Sequence, residues 1–149
     1  SAMSESSAQV TADPLPEIVC DETQIHQLLQ NLIGNALKFR HPDRDPIINI
    51  SCEMMPKSEN LYGPVTVIRI SDNGIGIEEK YRKSIFEPFK RLHDREDYPG
   101  TGIGLAICQK IITRHDGHIS VGASSLGGAE FIIELPAWKT ASTTEENQP

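Results

Sequence analysis

The spacing of apolar residues along the chain predicts two amphipathic helices. From Asp21 to about Arg40, apolar residues recur at i, i+3, i+4 and i+7, which is the spacing of one helical face. Asp21 followed by Gln24 is typical of a capped helix start. A second helix is predicted over residues 103–115, with Gly117 as its stop signal. The apolar positions of the first helix are Ile25, Leu28, Leu29, Leu32, Ile33, Ala36 and Leu37.

β-Branched residues predict the strands and, together with the helices, the fold class. Two segments joined by "PKSENLYG" and two more joined by "SSLGG" have the composition of hairpins. The order along the chain is strand, helix, hairpin, short helix, loop, helix and hairpin. This order predicts an α+β fold in which a mixed, mostly antiparallel sheet carries helices on one face. The predicted strands span 15–21, 45–55, 63–74, 118–124 and 128–136, and the short helix spans 78–86.

Composition predicts one folded domain between two disordered tails. Residues 1–13 and 140–149 are mostly small and polar, and the first three residues resemble the scar of a cleaved purification tag. The folded domain is therefore predicted to span 14–139, and we expect it to come from a larger protein. At 149 residues the chain is long enough to bury a sizeable core.

Charge and hydropathy narrow the classes of partner. Fourteen Lys and Arg against 21 Asp and Glu give a formal net charge of −7, which argues against a nucleic-acid partner because phosphates need a basic face. No apolar run approaches the ~18 residues of a membrane span, so we expect a cytoplasmic domain without direct membrane contact. The three cysteines are far apart and form no CxxC pair, which predicts reduced, buried thiols.

Three glycines at alternate positions, Gly100, Gly102 and Gly104, stand where the second helix begins. Glycine costs a helix about 1 kcal/mol relative to alanine, so its repetition here needs a reason. Neither a GxGxxG dinucleotide motif nor a GxxxxGK Walker loop is present. One interpretation is a turn that presents bare backbone N–H groups and the helix dipole to a phosphate. The other is a mobile linker that merely enters the helix.

A second pair of glycines follows the end of a predicted strand. In "SDNGIGI", Asp72 is a carboxylate at the strand end, and Gly74 and Gly76 would let a flat ring approach the backbone. The amino group of an adenine would satisfy that carboxylate. The alternative is an ordinary Asn-Gly turn that needs no ligand.

Three polar residues recur along the first predicted helix. Asn31, Asn35 and Lys38 fall on one stripe, which we place opposite the leucine face. Asparagine lowers helix propensity, so two asparagines one turn apart suggest a function. Amide oxygens suit Mg²⁺, and lysine suits a phosphate. The alternative is a polar outer face.

The order and spacing of these motifs resemble those of a known family. The segments "HQLLQNLIGNALKF", "DNGIGI", "IFEPFKRL" and "GTGIGLAI" are similar to the N, first glycine, F and second glycine boxes of sensor histidine kinases. The resemblance covers about residues 21–136, and "RLHDREDYPGTGIGLAI" is similar to the lid of phytochrome-like kinases. It implies the Bergerat fold, a two-layer α/β sandwich with a mobile ATP lid, which gyrase, mismatch-repair ATPases and the heat-shock chaperone ATPase share.

The resemblance also implies roles for individual residues. Asn35 is similar to the asparagine that coordinates Mg²⁺, with Asn31 supporting it, and Lys38 is similar to the lysine that contacts the phosphates. Asp72 matches the aspartate that holds the adenine amino group, and Arg91 matches a basic residue near the γ-phosphate. Asn31, Asn35, Lys38 and Arg91 are thus the implied catalytic residues. The other implied nucleotide-binding residues are Gly74, Gly76, Ile77, Gly100, Thr101, Gly102, Ile103, Gly104 and Leu105, with Phe86 and Phe89 as the aromatic pair that anchors the lid.

The resemblance implies ATP and Mg²⁺ as cofactors. It does not decide whether the γ-phosphate is transferred to another group or ATP is hydrolysed. In the hydrolysing relatives a glutamate stands four residues before the metal asparagine; here that residue is Asn31, and an amide cannot serve as a general base. Phosphoryl transfer depends mainly on positioning and charge neutralisation. We therefore expect the ATP-binding catalytic domain of a two-component sensor histidine kinase that acts in a phosphorelay.

The acceptor of the phosphoryl group is expected outside this chain. The resemblance implies transfer to a histidine on a separate dimerisation domain, absent from this fragment, and then to a response regulator. Alternatives are a gyrase- or chaperone-like ATPase, a degenerate nucleotide-sensing interaction module, and a serine-directed kinase of the anti-sigma-factor type. No histidine of the chain has the sequence context of the family's acceptor: not His26, His41, His93, His115 or His118.

Overall fold

Seven strands form two separate sheets in the part of the chain that the computed structural model describes, residues 8–15, 17–88 and 104–141. The strands are β1 (Gln9–Ala12), β2 (Glu17–Ile18), β3 (Ile47–Met55), β4 (Val65–Asp72), β5 (His118–Ala123), β6 (Ala129–Pro136) and β7 (Thr140–Ala141). The main sheet has the order β1–β3–β4–β6–β5. In it, β1 pairs with β3 in parallel and the other pairings are antiparallel. Strands β2 and β7 form a small antiparallel sheet of their own.

The hairpins β3–β4 and β5–β6 supply the apolar floor of the core. Successive residues of a strand point to opposite faces of the sheet, so directly paired residues share a face. The register pairs Ile70 with both Ile50 and Phe131, and Phe131 in turn with Val121. All four side chains are buried and form a continuous apolar row across four strands.

The α-helices of the described residues, α1 (Glu22–Lys38) and α2 (Gly104–Arg114), form the second layer. Helix α1 starts as predicted, because Oδ1 of Asp21 accepts a hydrogen bond of 3.1 Å from the backbone N–H of Gln24. It packs against α2 and β4. The predicted α+β architecture, with helices on one face of a mostly antiparallel sheet, is confirmed. The helical residues of the core include Leu28, Leu32, Ala36, Leu37, Cys108, Ile111 and Ile112.

The predicted disordered tail at residues 1–13 is wrong for Gln9–Ala12, which form β1. Backbone hydrogen bonds of 2.9 Å hold its ends, from Gln9 N–H to the carbonyl of Pro46 and from Asp13 N–H to the carbonyl of Ile50. A small, polar segment can pair in this way because the bonds come from the backbone and not from its side chains. Thr140–Ala141 likewise lie in β7 and not in a tail. Residues 1–7 and 142–149 lie outside the described residues.

Two predicted elements are shorter than expected. The strand predicted over 15–21 is reduced to the two residues of β2, which lie outside the main sheet. The helix predicted over 78–86 consists of two 3₁₀ turns, Glu79–Tyr81 and Ser84–Phe86. None of the helices in the described ranges has both the length and the apolar character needed to cross a membrane.

The three cysteines differ in exposure. Cys108 is buried, Cys52 is partly buried and Cys20 is exposed. The prediction of buried thiols is therefore correct for Cys108 and wrong for Cys20, because Cys20 lies in the connection before α1 and not in the core.

Candidate functional site

Asp72, the last residue of β4, is a buried carboxylate held by two backbone donors. Its Oδ1 accepts hydrogen bonds from the N–H groups of Gly74, at 2.9 Å, and Ala129, at 3.0 Å. Within the described residues, Oδ2 makes no hydrogen bond. Burial raises the pKa of the Asp72 carboxyl, and the two N–H donors oppose this rise. One oxygen is thus committed to the fold, and the other can accept a hydrogen bond from a ligand.

The β5–β6 turn lies against Asp72 and leaves no room for a side chain. A Cβ on Gly128 would stand 2.1 Å from Oδ1 of Asp72 and 2.4 Å from the backbone nitrogen of Gly74. The Gly128 N–H also donates to the backbone carbonyl of Asp72 at 3.1 Å. Neither Gly128 nor Ala129 was predicted as a site residue, because "SSLGG" has the composition of an ordinary hairpin turn. The adjacent glycines were the available signal, since glycine often marks a close approach of two backbones.

The glycines after Asp72 connect this site to the end of α1. The N–H of Ile75 donates to the carbonyl of Phe39 at 3.1 Å. A Cβ on Gly74 would stand 2.6 Å from that same carbonyl oxygen, so this backbone contact requires glycine. Gly76 has φ +77°, a left-handed conformation that favours glycine for a different reason. The glycine loop after Asp72 therefore meets the end of α1, which carries the predicted polar stripe, at Phe39.

Asn73, which the sequence motifs did not single out, holds the loop that follows Asp72. It is 7% exposed. Its Oδ1 accepts from the N–H of Ile47 at 2.9 Å, and its Nδ2 donates to the carbonyl of Asp45 at 3.0 Å. The Asn-Gly pair is thus more than a turn signal, because the asparagine side chain ties the loop to the start of β3.

A partly open cleft of about 520 Å³ lies beside the same loop. Its lining includes the predicted residues Gly76 and Ile77, together with Tyr81, Arg82 and Gly128. Nε of Arg82 donates to the carbonyl of Ile77 at 3.1 Å, which fixes that wall. Asp72 and the polar stripe of α1 do not line this cleft, so it covers only part of the predicted site.

The stripe formed by Asn31, Asn35 and Lys38 borders the helix–helix contact. All three residues are partly buried, and Nδ2 of Asn31 is fully buried. Our placement of the stripe opposite the leucine face was wrong, because Asn31 follows the buried Leu28 by three residues and such residues are neighbours on a helix. A merely polar outer face is excluded for Asn31. Nζ of Lys38 lies 5.0 Å from the ring centroid of Phe39.

Helix α2 faces this stripe with its first residue. A Cβ on Gly104 would stand 3.7 Å from Oδ1 of Asn31, so the start of α2 and the Asn31 amide are in contact range. Cys108, one turn further along α2, is completely buried, and its Sγ lies 3.9 Å from the carbonyl of Leu28. Burial raises the pKa of Cys108 to about 12, while the neighbouring Asn31 side chain lowers it.

The remaining predicted residues divide into core residues and residues outside the described ranges. Phe86 is 5% exposed and packs edge-on against Phe131, with ring centroids 6.3 Å apart, which suits an anchor in the core better than a direct ligand contact. Leu105 and Ile77 are partly buried and pack against the core. Six predicted residues lie outside the described residues: Phe89, Arg91, Gly100, Thr101, Gly102 and Ile103.

The family described as "Histidine kinase-, DNA gyrase B-, and HSP90-like ATPase" matches residues 20–139. Cyanobacterial phytochrome A of Nostoc sp. strain PCC 7120 is 44% identical over 134 residues, which are 90% of this chain and 16% of that protein. The chain thus spans about a sixth of the length of this curated relative.

Two solved structures share the fold. The catalytic domain of histidine kinase ThkA is 28% identical, with a TM-score of 0.65, and the match covers 90% of this chain and 82% of that one. Full-length ShkA in complex with AMPPNP is 26% identical, with a TM-score of 0.71, and the match covers 97% of this chain and 28% of that one.

Proposed function

Because the chain belongs to the histidine kinase-, DNA gyrase B-, and HSP90-like ATPase family, we propose that it is the catalytic domain of a sensor histidine kinase. The proposed reaction transfers the γ-phosphate of Mg²⁺–ATP to a histidine on a separate dimerisation domain. The three similar proteins named above include a phytochrome and a histidine kinase, and none is a gyrase or a chaperone. The gyrase- or chaperone-like alternative therefore has no support from them.

The arrangement at Asp72 is the single observation that carries the nucleotide assignment. Two backbone donors bind Oδ1, and Oδ2 is left for a ligand that brings its own donor. The exocyclic amino group of adenine is such a donor. Because a buried polar group without a partner costs about 1–3 kcal/mol, this carboxylate favours a base with an amino group over one with a carbonyl at that position.

The start of α2 and the polar stripe of α1 provide the proposed phosphate end of the site. A helix N-terminus offers unpaired N–H groups and a positive dipole end to an anion. Gly104 begins α2 beside the Asn31 amide, and that amide has a buried nitrogen without a hydrogen-bond partner in the described residues. Asn35 and Asn31 supply amide oxygens that suit Mg²⁺, and Lys38 suits a phosphate. Mg²⁺, when bound, neutralises phosphate charge.

Asn31 also supports transfer over hydrolysis. An amide does not accept a proton at neutral pH, so Asn31 cannot activate a water molecule as a carboxylate would. One neighbouring side chain is the buried thiol of Cys108, which is no better as a general base, since a thiol is protonated at neutral pH and burial raises the pKa of this one further, to about 12. The residues around the start of α2 therefore bind and orient the phosphates and leave the nucleophile to come from elsewhere.

His115 is held in a way that does not suit a phosphate acceptor, and no histidine of the chain has the sequence context of the family's acceptor. His115 is 5% exposed and bonded through both ring nitrogens. We therefore assign the acceptor to a histidine-containing domain of the full protein, and place a response regulator after it. A cytoplasmic location, where ATP is abundant, belongs to the same proposal.

A calorimetric titration of the protein with ATP, with and without Mg²⁺, tests this proposal. We expect a single saturating heat that weakens without metal and is followed by a flat baseline. A continuing heat after mixing would show turnover and replace the transferase by a hydrolase. The absence of any heat would remove the nucleotide assignment.

A parallel incubation with γ-labelled ATP tests the location of the acceptor. We expect no acid-labile phosphohistidine on this chain alone. Label on any of its histidines would contradict the assignment of the acceptor to another domain. Label on serine would instead favour the serine-directed kinase.

A further inference from the structure

The side-chain amide of Asn31 lies at the contact between α1 and α2, and its NH₂ group lacks a hydrogen-bond partner within the described residues. Nδ2 of this amide is buried. Its Oδ1 lies towards Gly104, where a Cβ would be 3.7 Å away. A buried donor without a partner costs about 1–3 kcal/mol, so an asparagine in this position calls for an explanation.

Cys108 is the α2 residue that stands one turn beyond Gly104 on the same side of the helix. Its Sγ is 3.9 Å from the carbonyl oxygen of Leu28, and Leu28 precedes Asn31 by one turn of α1. The Asn31 side chain lies beside the thiol. Gly104, the Asn31 amide and Cys108 thus form a row along the contact between the two helices.

The direction of the thiol proton determines what the sulfur offers to Asn31. Sγ donates its proton towards the carbonyl of Leu28, so the sulfur presents lone pairs to its other neighbours. Lone pairs attract the NH₂ end of the amide and repel its oxygen. A sulfur is a weak acceptor, which explains why the contact biases the amide without forming a regular hydrogen bond.

From this arrangement we infer that Cys108 is a positioning residue that selects the orientation of the Asn31 amide. It holds Nδ2 inside the helix contact and leaves Oδ1 at the start of α2, where the proposed function places the metal and phosphates. The reversed amide would direct its NH₂ group at the cation, which takes oxygen ligands. The effect of this orientation on Mg²⁺–ATP binding rests on the proposed function. The orientation itself is a property of the ligand-free protein.

The first test is the ¹⁵N–¹H spectrum of the Asn31 side-chain amide in the ligand-free protein, assigned with the Asn31→Ala variant. We expect slowly exchanging NH₂ protons with nuclear Overhauser effects to the β-protons of Cys108. Cys108→Ala should abolish the slow exchange, because the amide loses its neighbour and can turn. Cys108→Ser should retain it, because a hydroxyl both donates to the Leu28 carbonyl and accepts from Nδ2.

The second test is the ratio of ATP affinities with and without Mg²⁺. In Cys108→Ala we expect this ratio to fall about fivefold to tenfold, which corresponds to a loss of about 1 kcal/mol. Cys108→Ser should restore it to within about twofold of the unmodified protein. Ile111→Val is the matched control, since it also removes buried volume from α2 and should lower stability without changing the ratio.

A Cys108→Ala variant that keeps both the slow amide exchange and the Mg²⁺ ratio overturns the inference, and so does an equal change of the ratio in Ile111→Val. If the unmodified protein does not bind ATP, the proposed function fails, while the ligand-free spectra still decide the role of Cys108.

Discussion

Asp72, the residue proposed to recognise the base, opposes the stability of the fold that carries it. Burial raises the pKa of its carboxyl, which means that the folded protein holds the ionised form less well than the unfolded chain does. The contribution of the Asp72 carboxyl to the free energy of unfolding is therefore most favourable when the carboxyl is protonated. It is lost as pH rises through the raised pKa. At neutral pH the buried charge therefore lowers the free energy of unfolding.

Asp72→Asn should separate binding from stability. The side-chain oxygen of the introduced asparagine can still accept hydrogen bonds from the N–H groups of Gly74 and Ala129. We therefore expect an equal or higher free energy of unfolding at neutral pH. The gain should shrink as pH falls through the raised pKa of Asp72, because the native carboxyl is then neutral as well. The new NH₂ group would face the adenine amino group, and ATP affinity should fall about tenfold or more. Chemical denaturation across pH and calorimetry measure the two effects.

The exposed Asp43 is the control for this change. Asp43→Asn removes the same formal charge at an exposed position and should leave ATP affinity unchanged. If Asp72→Asn binds ATP as well as the unmodified protein, Oδ2 is not the group that recognises the base.

Gly128 makes a second prediction at the scale of single residues. In Gly128→Ala the added methyl group would clash with Oδ1 and with the backbone oxygen of Asp72. These atoms cannot move without disrupting the end of β4. Overpacking of this kind costs about 1–3 kcal/mol, and ATP affinity should fall with it because the carboxylate is displaced. Denaturation and calorimetry measure both.

Gly122→Ala in β5 is the matched control, since a Cβ there would have no atom within 4 Å. We expect its stability to stay the same or rise slightly. Equal losses in the two variants would mean that glycine flexibility, and not the contact with Asp72, explains the effect.

At the scale of elements, His115 connects the start of α1 with the end of α2. Its Nε2 accepts from the backbone N–H of Asp21 at 3.1 Å, and Nδ1 lies 2.8 Å from the carbonyl of Ile111. Because Nε2 accepts, the ring proton is on Nδ1, which can donate to Ile111. This imidazole joins the start of α1 to the end of α2.

His115→Leu should therefore lower the free energy of unfolding by about 1–3 kcal/mol, because the Asp21 N–H and the Ile111 carbonyl lose a buried partner. Urea unfolding measures the change. The control is His26→Leu on the exposed side of α1, which should change stability by less than about 0.5 kcal/mol. A loss in His115→Leu no larger than in the control would show that the bridge contributes nothing.

For the whole molecule, strand β1 decides where the stable domain begins. A protein that starts at Pro14 loses the parallel pairing of β1 with β3 and the contact of Val10 with the core. We expect its free energy of unfolding to fall by about 1–3 kcal/mol, since those backbone groups and apolar atoms are ordered in the sheet. Removal of residues 1–7 alone is the control and should have little effect. Equal stability of both truncated forms would support the domain limits of 14–139.

The sequence by itself determined the features that repeat locally or follow a motif. The 3.6-residue period located α1, the β-branched segments located both hairpins, and the order of elements gave the fold class, because each depends on residues close together in the chain. The motifs also singled out Asp72 and Asn31 as candidate site residues, which stays a prediction, and they said nothing of the atoms that surround these side chains.

Only the tertiary structure decided which distant groups meet. Ala129 donates to Asp72 across 57 positions, and Cys108 approaches Leu28 across 80. The pairing of β1 with β3, the close approach of Gly128 and the burial of the Asn31 amide are of the same kind. No periodicity or turn signal encodes them, because they arise where separate elements pack and their backbones satisfy one another's hydrogen bonds.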